Sequence, residues 1–533
     1  MKKILATLLC GGTLFLGAQE PEVYQTLATH CSWPAGRQPE RRPAAVPVTP
    51  NATEAERGFR LGVTGISTTP QPDFDWPEPP EAPSIRSFQA KGELRRCFLV
   101  LRGLEDFDQV NVQAGTLRNG NGREITAENF FFQRAGHYGD RDRWEDSRMI
   151  FLTADQPWRL KTGDTLFILV NLYVPEAAQS GLYRGEFTVT ADGRTAPVPV
   201  ELAVLDWDYQ TPEGAWGMYI PGDFYGPDRG EFKNMAPEWW TAENLELYIR
   251  YLKSRGFNSP VLFHLYGEMA WVDNQPRLKL PFLERIADLM TKYRMTGPLG
   301  VDVRNISWYA YAAARKLNAL GVEQVDGDLG IYGPDGLNIG HTGEKDYPES
   351  SKKIFAAFLH ELVRQHREHD WPRFIYCAEE EIGYPTIKTI GYEAFNPTLR
   401  TVVGDEDTFL IDNAIGYAFD SIDRGARDHL RIRSYNNWTE EGLENARRDQ
   451  AHIWYYNGGW NRNFAIYLIR IGATAYHQWA DAWQTGGPWI ETVIGADGLS
   501  PSIGIERTAE GLSDLFYFRE LERYLARCRA AGL

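Results

Sequence analysis

Three consecutive carboxylates, Glu379, Glu380 and Glu381, follow the apolar run Phe374-Ile375-Tyr376-Cys377-Ala378 without a spacer. At the mouth of a partly dry pocket, desolvation and a like-charged neighbour both raise a carboxyl pKa. An acid kept protonated near neutral pH can donate to a leaving group. The bland reading is an acidic loop start in water; the inner-strand pattern before the triplet favours chemistry. A retaining two-carboxylate mechanism needs groups about 5–5.5 Å apart, and an inverting one about 6.5–9.5 Å. Adjacent residues seldom reach opposite sides of one sugar ring. If Glu379 and Glu380 both act, a nucleophile that the substrate carries, such as a 2-acetamido oxygen, suits them better. One carboxylate then orients the amide while the other protonates the glycosidic oxygen. Asp481 is the other well-placed acid and keeps an ordinary two-carboxylate route with Glu380 open.

Such groups need a scaffold. After Pro212 the pattern becomes strand then helix, repeated, with strands expected at 216–220, 260–265, 298–303, 373–378, 399–404, 430–435, 452–456 and 473–479. Amphipathic helices are expected at 241–255, 282–293, 350–369 and 439–450, opened by Thr, Ser or Pro as helix starts prefer. Eight repeats favour a closed parallel (β/α)8 TIM barrel, whose chemistry sits at the carboxyl ends of its strands. The second strand exits into His264-Leu265-Tyr266 and the third into Asp302-Val303-Arg304-Asn305. The sixth gives Tyr435-Asn436-Asn437-Trp438, the seventh Tyr456-Asn457-Gly458-Gly459-Trp460, and the eighth His477-Gln478-Trp479-Ala480-Asp481-Ala482-Trp483. Aromatic faces edged by polar groups suit a sugar, whose C–H face stacks while its hydroxyls need partners. The candidate substrate-binding residues are therefore His264, Tyr266, Asp302, Asn436, Trp438, Tyr456, Asn457, Trp460, Trp479, Asp481 and Trp483. For any one Trp the alternative is a packed residue with a satisfied N–H.

Before Pro212 the period changes to two. Phe187, Val189 and Ala191 alternate with polar residues, Asp192-Gly193 supplies a turn, and Val198, Val200, Leu202 and Val204 share one face of the returning strand. Further strands are expected at 93–101 and 164–174, so 84–210 reads as an antiparallel β-sandwich domain. Eleven of the 31 prolines lie between Trp33 and Pro83, which makes 19–83 a Pro-rich arm or linker. Residues 1–18 have the charged head, apolar core and small-residue exit of a secretory signal, which implies a secreted or periplasmic protein. The remainder, 211–533, is assigned to the catalytic barrel with a C-terminal helix.

Composition narrows the partners. With 56 basic and 72 acidic residues the formal charge is −16, which disfavours nucleic acid, and no later stretch is apolar enough for a membrane span. An oligosaccharide or glycoconjugate is the expected partner; oligomeric state is unspecified. Cys31 and Cys97 could form a bridge, whereas Cys377 reads as a buried free thiol. No metal and no cofactor are expected: His360, His366 and His369 lack the four-residue spacing of a zinc helix. The glycines of 327–343 lack a phosphate-loop fingerprint and would give the third connection freedom, as a lid. Arg424, Arg427, Arg431 and Arg433 are offset by Asp420, Asp423 and Asp428, which reads as a structural charge network.

Taken together, the chain resembles glycoside hydrolase family 123 and its relatives over roughly 88–525. Ser180-Gly181-Leu182-Tyr183-Arg184-Gly185 and the hairpin after it are similar to the end of the family's N-terminal sandwich. Residues 455–460 and 472–483, Pro501-Ser502-Ile503-Gly504-Ile505-Glu506 and Gly511-Leu512-Ser513-Asp514 are similar to the last third of its barrel. The resemblance implies a β-N-acetylgalactosaminidase-like, substrate-assisted enzyme with an Asp-Glu pair ending strand 4. Glu379 stands in place of the amide-orienting Asp, Glu380 in place of the acid/base, and Glu381 where Pro often follows. Glu for Asp adds a methylene of reach, and the pair Glu380-Glu381 is an alternative register. The remaining alternatives are a glycosidase for another sugar and a non-catalytic glycan-binding barrel.

Overall fold

A computed structural model describes residues 49–71, 74, 82–138, 149–153, 156–221, 242–263, 265, 267–331, 347–378, 387–412, 430–436, 438–459, 461–478, 492–495 and 498–532. They fall into two compact units, one within Met1–Pro212 and Ile494–Leu533, the other within Glu213–Val493.

The first unit opens with the short helix α1 (Ala52–Arg57), capped by a reciprocal Asn51–Glu54 box. Its strands are β1 (Phe59–Gly65), β2 (Ile85–Lys91), β3 (Leu94–Gly103), β4 (Phe107–Ala114), β5 (Leu117–Asn119), β6 (Glu124–Ile125), β7 (Phe130–Tyr138), β8 (Met149–Thr153), β9 (Trp158–Leu160), β10 (Thr165–Tyr173), β11 (Gly181–Ala191) and β12 (Arg194–Asp208). One sheet runs β1-β3-β10-β7-β8; the other runs β2-β12-β11-β4-β9 with β5 and β6 alongside. Alternate residues of both, such as Leu99, Leu101, Ile168 and Val170 from one and Phe187, Val189, Val198 and Val200 from the other, share a single apolar core. Burying each such side chain stabilises the unit by roughly 1.5–3 kcal/mol. The expected hairpin is present: Asp192 and Gly193 both take positive φ, the requirement of a tight two-residue turn between twisted strands.

Two expectations for this unit need correction. β2 pairs with β12 in parallel, so the second sheet is not wholly antiparallel. Within the stretch assigned to the arm, β1 pairs with β3 from Phe59↔Gly103 to Gly65↔Cys97 and buries Phe59 and Leu61. The reason lies in proline placement. Residues 51–69 contain none, so every N–H there can enter a ladder.

The second unit contains β13 (Ala215–Pro221), β14 (Val261–Phe263), β15 (Glu268–Val272), β16 (Gln275–Lys279), β17 (Leu299–Asp302), β18 (Phe374–Cys377), β19 (Phe409–Asp412), β20 (Ile432–Tyr435), β21 (His452–Tyr456) and β22 (Ala475–Gln478). Its helices are α2 (Ala242–Ser254), α3 (Pro281–Lys292), α4 (Arg304–Leu320), α5 (Glu349–Glu368), α6 (Ile387–Val403), α7 (Glu440–Arg448) and α8 (Phe464–Ile471). Apart from the hairpin β15–β16, the strands make one parallel sheet in the order β18-β17-β14-β13-β22-β21-β20-β19. That is chain order wrapped round once, broken between the fourth and fifth strands, where a parallel bridge joins Tyr376 to Thr408. Seven of the eight expected strands coincide with observed ones. The fifth does not: 399–403 forms the end of α6, Gly404 follows it, and the strand is Phe409–Asp412. Tyr392, Phe395, Asn396 and Leu399 are buried at helical intervals, and that periodicity outweighs the β-branched residues Thr401, Val402 and Val403.

The final helix, α9 (Ile503–Ala530), packs against β3 and β8 of the first unit rather than extending the second. The segments Pro501–Glu506 and Gly511–Asp514, expected at the end of the barrel, go with it. Alternate β3 residues Phe98 and Val100 face away from the shared core and are covered in part by Ile503. The charges match as well: Arg96 meets Glu506 at 2.5 Å, and Arg95 meets Glu510 at 3.2 Å and Asp514 at 3.1 Å.

Candidate active site

The inside of the parallel sheet can be read from its alternation. Ala215 and Tyr219 of β13, Ile375 and Cys377 of β18, Trp454 and Tyr456 of β21 and Ala475 of β22 belong to one buried cluster with Val261, Phe409 and Ile432. Intervening residues such as Tyr455, Tyr476 and Gln478 face the other way. Tyr456, a candidate sugar contact, lies inside with its ring edge-on to Tyr219 at 5.2 Å. Tyr219 is not among the candidates, although the two-residue alternation Ala215-Gly217-Tyr219 carries the signal.

At the end of β17, Asp302 is buried and stands beside Cys377 in the register with β18. Its carboxylate accepts from Arg304 Nε at 2.8 Å and Nη2 at 2.5 Å, and from the Arg304 backbone N–H at 3.0 Å. Both side chains are nearly inaccessible. The fold thus places a buried anion at the end of the strand next to the one leading into Glu379, with its cation at the start of α4. Asn305 donates to the Leu265 carbonyl at 3.2 Å, tying this turn to the exit of β14.

The exits of β21 and β22 are fastened together. Asn457 takes φ 56°, its N–H donates to the His477 carbonyl at 2.9 Å, and its side-chain oxygen accepts from Gln478 Nε2 at 2.7 Å. Gln478 Oε1 accepts in turn from the Gly459 N–H at 3.0 Å and the Tyr476 hydroxyl at 2.6 Å. A Cβ on Gly458 would lie 2.3 Å from a Tyr455 ring carbon, so any side chain there would have to displace that ring. Asn457 therefore shapes the loop that leads to position 460. Gln478, which the candidate set omitted, is the centre of the clamp.

His477 faces inward and is buried. Nε2 lies 3.0 Å from the Ser259 carbonyl, to which it donates, and the ring packs against Trp454. Burial lowers its pKa to about 3, only partly opposed by the Ser259 carbonyl, so the imidazole is neutral at ordinary pH. Trp438 has its ring 5.1 Å from outward-facing Tyr455 and 6.1 Å from Tyr467 of α8, on the side away from Tyr456. Asn436 follows β20 in a bend and is half-buried. Glu379, Glu380, His264, Tyr266, Trp460, Trp479, Asp481 and Trp483 lie outside the described residues.

His366 stacks on Phe374 and His369 on Trp371, each at 4.2 Å, and both rings contact backbone carbonyls. No group of metal-binding side chains occurs among the described residues. Arg433 is buried and pairs with Asp449 at 2.7 Å, while Arg424 and Arg427 lie outside the described residues. Most of 327–343, from 332 onward, is also outside them. Cys377 is buried in β18; burial pushes the Cys97 thiol up to about 12, and Cys31 is not described. No described helix is long and apolar enough to cross a membrane.

No family profile and no curated protein matches the chain. Among solved structures, a family 123 glycoside hydrolase from Clostridium perfringens, described for its glycolipid glycan hydrolysis, is similar at 10% identity. The TM-score is 0.62, over 89% of this chain and 90% of that one. A β-D-glucuronidase from Dictyoglomus thermophilum is 9% identical with a TM-score of 0.32 over 78% of this chain and 66% of its own. An endo-β-1,4-mannanase from Thermotoga petrophila is 9% identical with a TM-score of 0.34 over 58% and 77%. The first agrees with the resemblance in the sequence: this chain has a mixed β/α fold similar to that of a family 123 glycoside hydrolase.

Proposed function

We propose that the protein is a secreted glycoside hydrolase, an N-terminal β-sandwich followed by a (β/α)8 barrel, acting on β-linked 2-acetamido sugars of the GalNAc type. The fold likeness to a family 123 enzyme known for glycolipid glycan hydrolysis carries this reading. Position supports it. β18 ends at Cys377, Ala378 is already a bend, and Glu379 and Glu380 come next. Strand alternation would send neighbours to opposite faces, but it stops before the pair. Glu379 then orients and polarises the acetamide, whose oxygen attacks the anomeric carbon, while Glu380 protonates the departing oxygen and afterwards takes a proton from water. Tyr456 inside the sheet, and Trp460 and Trp479 beyond the Asn457–Gln478 clamp, supply the sugar-facing rings. Trp438, turned toward Tyr455 and Tyr467, is assigned to packing.

Hydrolysis of an aryl β-N-acetylgalactosaminide and an aryl β-galactoside, by wild type and Glu380→Gln, tests the assignment. Turnover of the acetamido sugar alone is expected, with a loss of about 10²–10⁴-fold in the variant. Equal use of both sugars would instead support a two-carboxylate route such as Glu380 with Asp481. Binding without turnover would remove the enzyme reading.

A further inference from the structure

The last helix runs out of its own core. From Ile503 to Phe516 nearly every residue of α9 is buried, but the three turns after Tyr517 are largely exposed. They include Phe518 at 41% exposure, Leu521 at 50%, Tyr524 at 53% and Leu525 at 43%. Phe518, Leu521, Leu525 and Cys528 recur at intervals of three, four and three, the a and d spacing of a coiled-coil seam. Beyond Tyr517 the helix gains little from the core that holds its first half. The pairs Arg519–Glu522 and Arg523–Glu520 offset only about 0.2–0.5 kcal/mol each. The seam is also continuous with exposed rings on the neighbouring sheet, since Tyr517 lies 5.4 Å from Phe88 and 6.0 Å from Trp207. Contiguous apolar surface of this kind marks an interaction site.

We propose that this face joins two copies of the chain through an antiparallel pairing of their α9 helices. With Leu521 opposite Leu525 of the partner subunit, Phe518 meets Cys528 of the partner subunit. The arrangement maps onto itself under a two-fold axis, as an isologous interface must. Charge selects this orientation and this occupant. The e positions beside the seam are Glu522 and Arg529, opposite in sign, and antiparallel pairing sets each against the other twice. In the parallel arrangement Glu522 and Arg529 face Tyr517 and Tyr524 instead, with no ion pair gained. The helix end bearing Arg527 and Arg529 also reaches the rings of Phe88 and Trp207, which suit a cation over their faces. A three-turn seam with two flanking rings is at the low end of specific interfaces, about 1,200 Å² in total, so the dimer assembles with concentration.

Sedimentation of the whole chain across about 1–100 μM tests this, the range in which a micromolar dimer dissociates. The mass should rise from one chain to two, and Leu525→Glu should hold it at one with an unchanged melting curve. Glu522→Arg should weaken association at least tenfold, and adding Arg529→Glu should restore it. With diamide as oxidant, Phe518→Cys should yield a disulfide between the introduced thiol and Cys528 of the partner subunit, the two thiols giving up two electrons and two protons to the diazene. A single-chain mass at every concentration overturns the proposal, as does a dimer that survives Leu525→Glu. Introduced thiols linked to each other would show a parallel pair and overturn it too.

Discussion

Glu93 gives the sharpest prediction about stability. It sits at the start of β3 with no exposed surface. Burial is the main reason its carboxyl is pushed up to about 7; Arg95, the Tyr517 hydroxyl and the Ala90 N–H pull it down, and Glu510 pushes it further up. The donors are in place: the Tyr517 hydroxyl bonds to Oε2, the Ala90 N–H reaches the same oxygen at 2.8 Å, and Arg95 Nε lies 3.7 Å from Oε1. Because the folded pKa exceeds the ordinary 4.5, the protonated acid is the favoured folded form. Its stabilisation is fully present below about pH 4.5 and is lost as pH rises through about 7. At about 1.4 kcal/mol per pH unit the gap corresponds to about 3 kcal/mol by pH 8.5. Glu93→Gln keeps the shape and the accepting oxygen but cannot ionise. Urea unfolding of both proteins from pH 5 to 8.5 should therefore show the variant gaining on wild type by up to about 3 kcal/mol across the range. Carboxylates that act in the opposite sense, such as Asp106 and Glu246, are common to both proteins and cancel. A difference that stays flat, or a variant that loses ground as pH rises, would refute the reasoning.

Two further outcomes test the candidate site. Gly458→Ala puts a methyl against the Tyr455 ring and should cost about 1–3 kcal/mol, read as a lower melting temperature of the second unit; an unchanged melt would mean that the loop is not closed as described. Asp302→Asn removes the buried anion bonded to Arg304 and should cost about 3–5 kcal/mol in urea unfolding. A loss below about 1 kcal/mol would show the pair to be open to solvent.

The sequence by itself determined what local rules control. Period two with Asp192-Gly193 gave the hairpin, because alternation and positive φ act over a few residues. The strand at 452–456 and the helices at 241–255 and 350–369 were legible because their apolar spacing is strong. The strand ends, and with them the candidate residues, followed from that reading. Where two local signals competed, as at 399–404, β-branched residues pointed one way and burial at helical intervals decided the other.

Only the tertiary structure decided matters of long-range pairing. Nothing local assigns Arg95 and Arg96 to Glu506, Glu510 and Asp514, more than four hundred residues away, or gives α9 to the first unit. The same holds for β1, whose ladder partner β3 lies beyond a Pro-rich stretch. Nothing local places Gln478 beside Asn457, or sets the Trp438 ring edge-on to Tyr455 and Tyr467. A polar or aromatic side chain declares its chemistry in the sequence, but its partners are chosen by whichever distant strand or helix the packed core brings within reach.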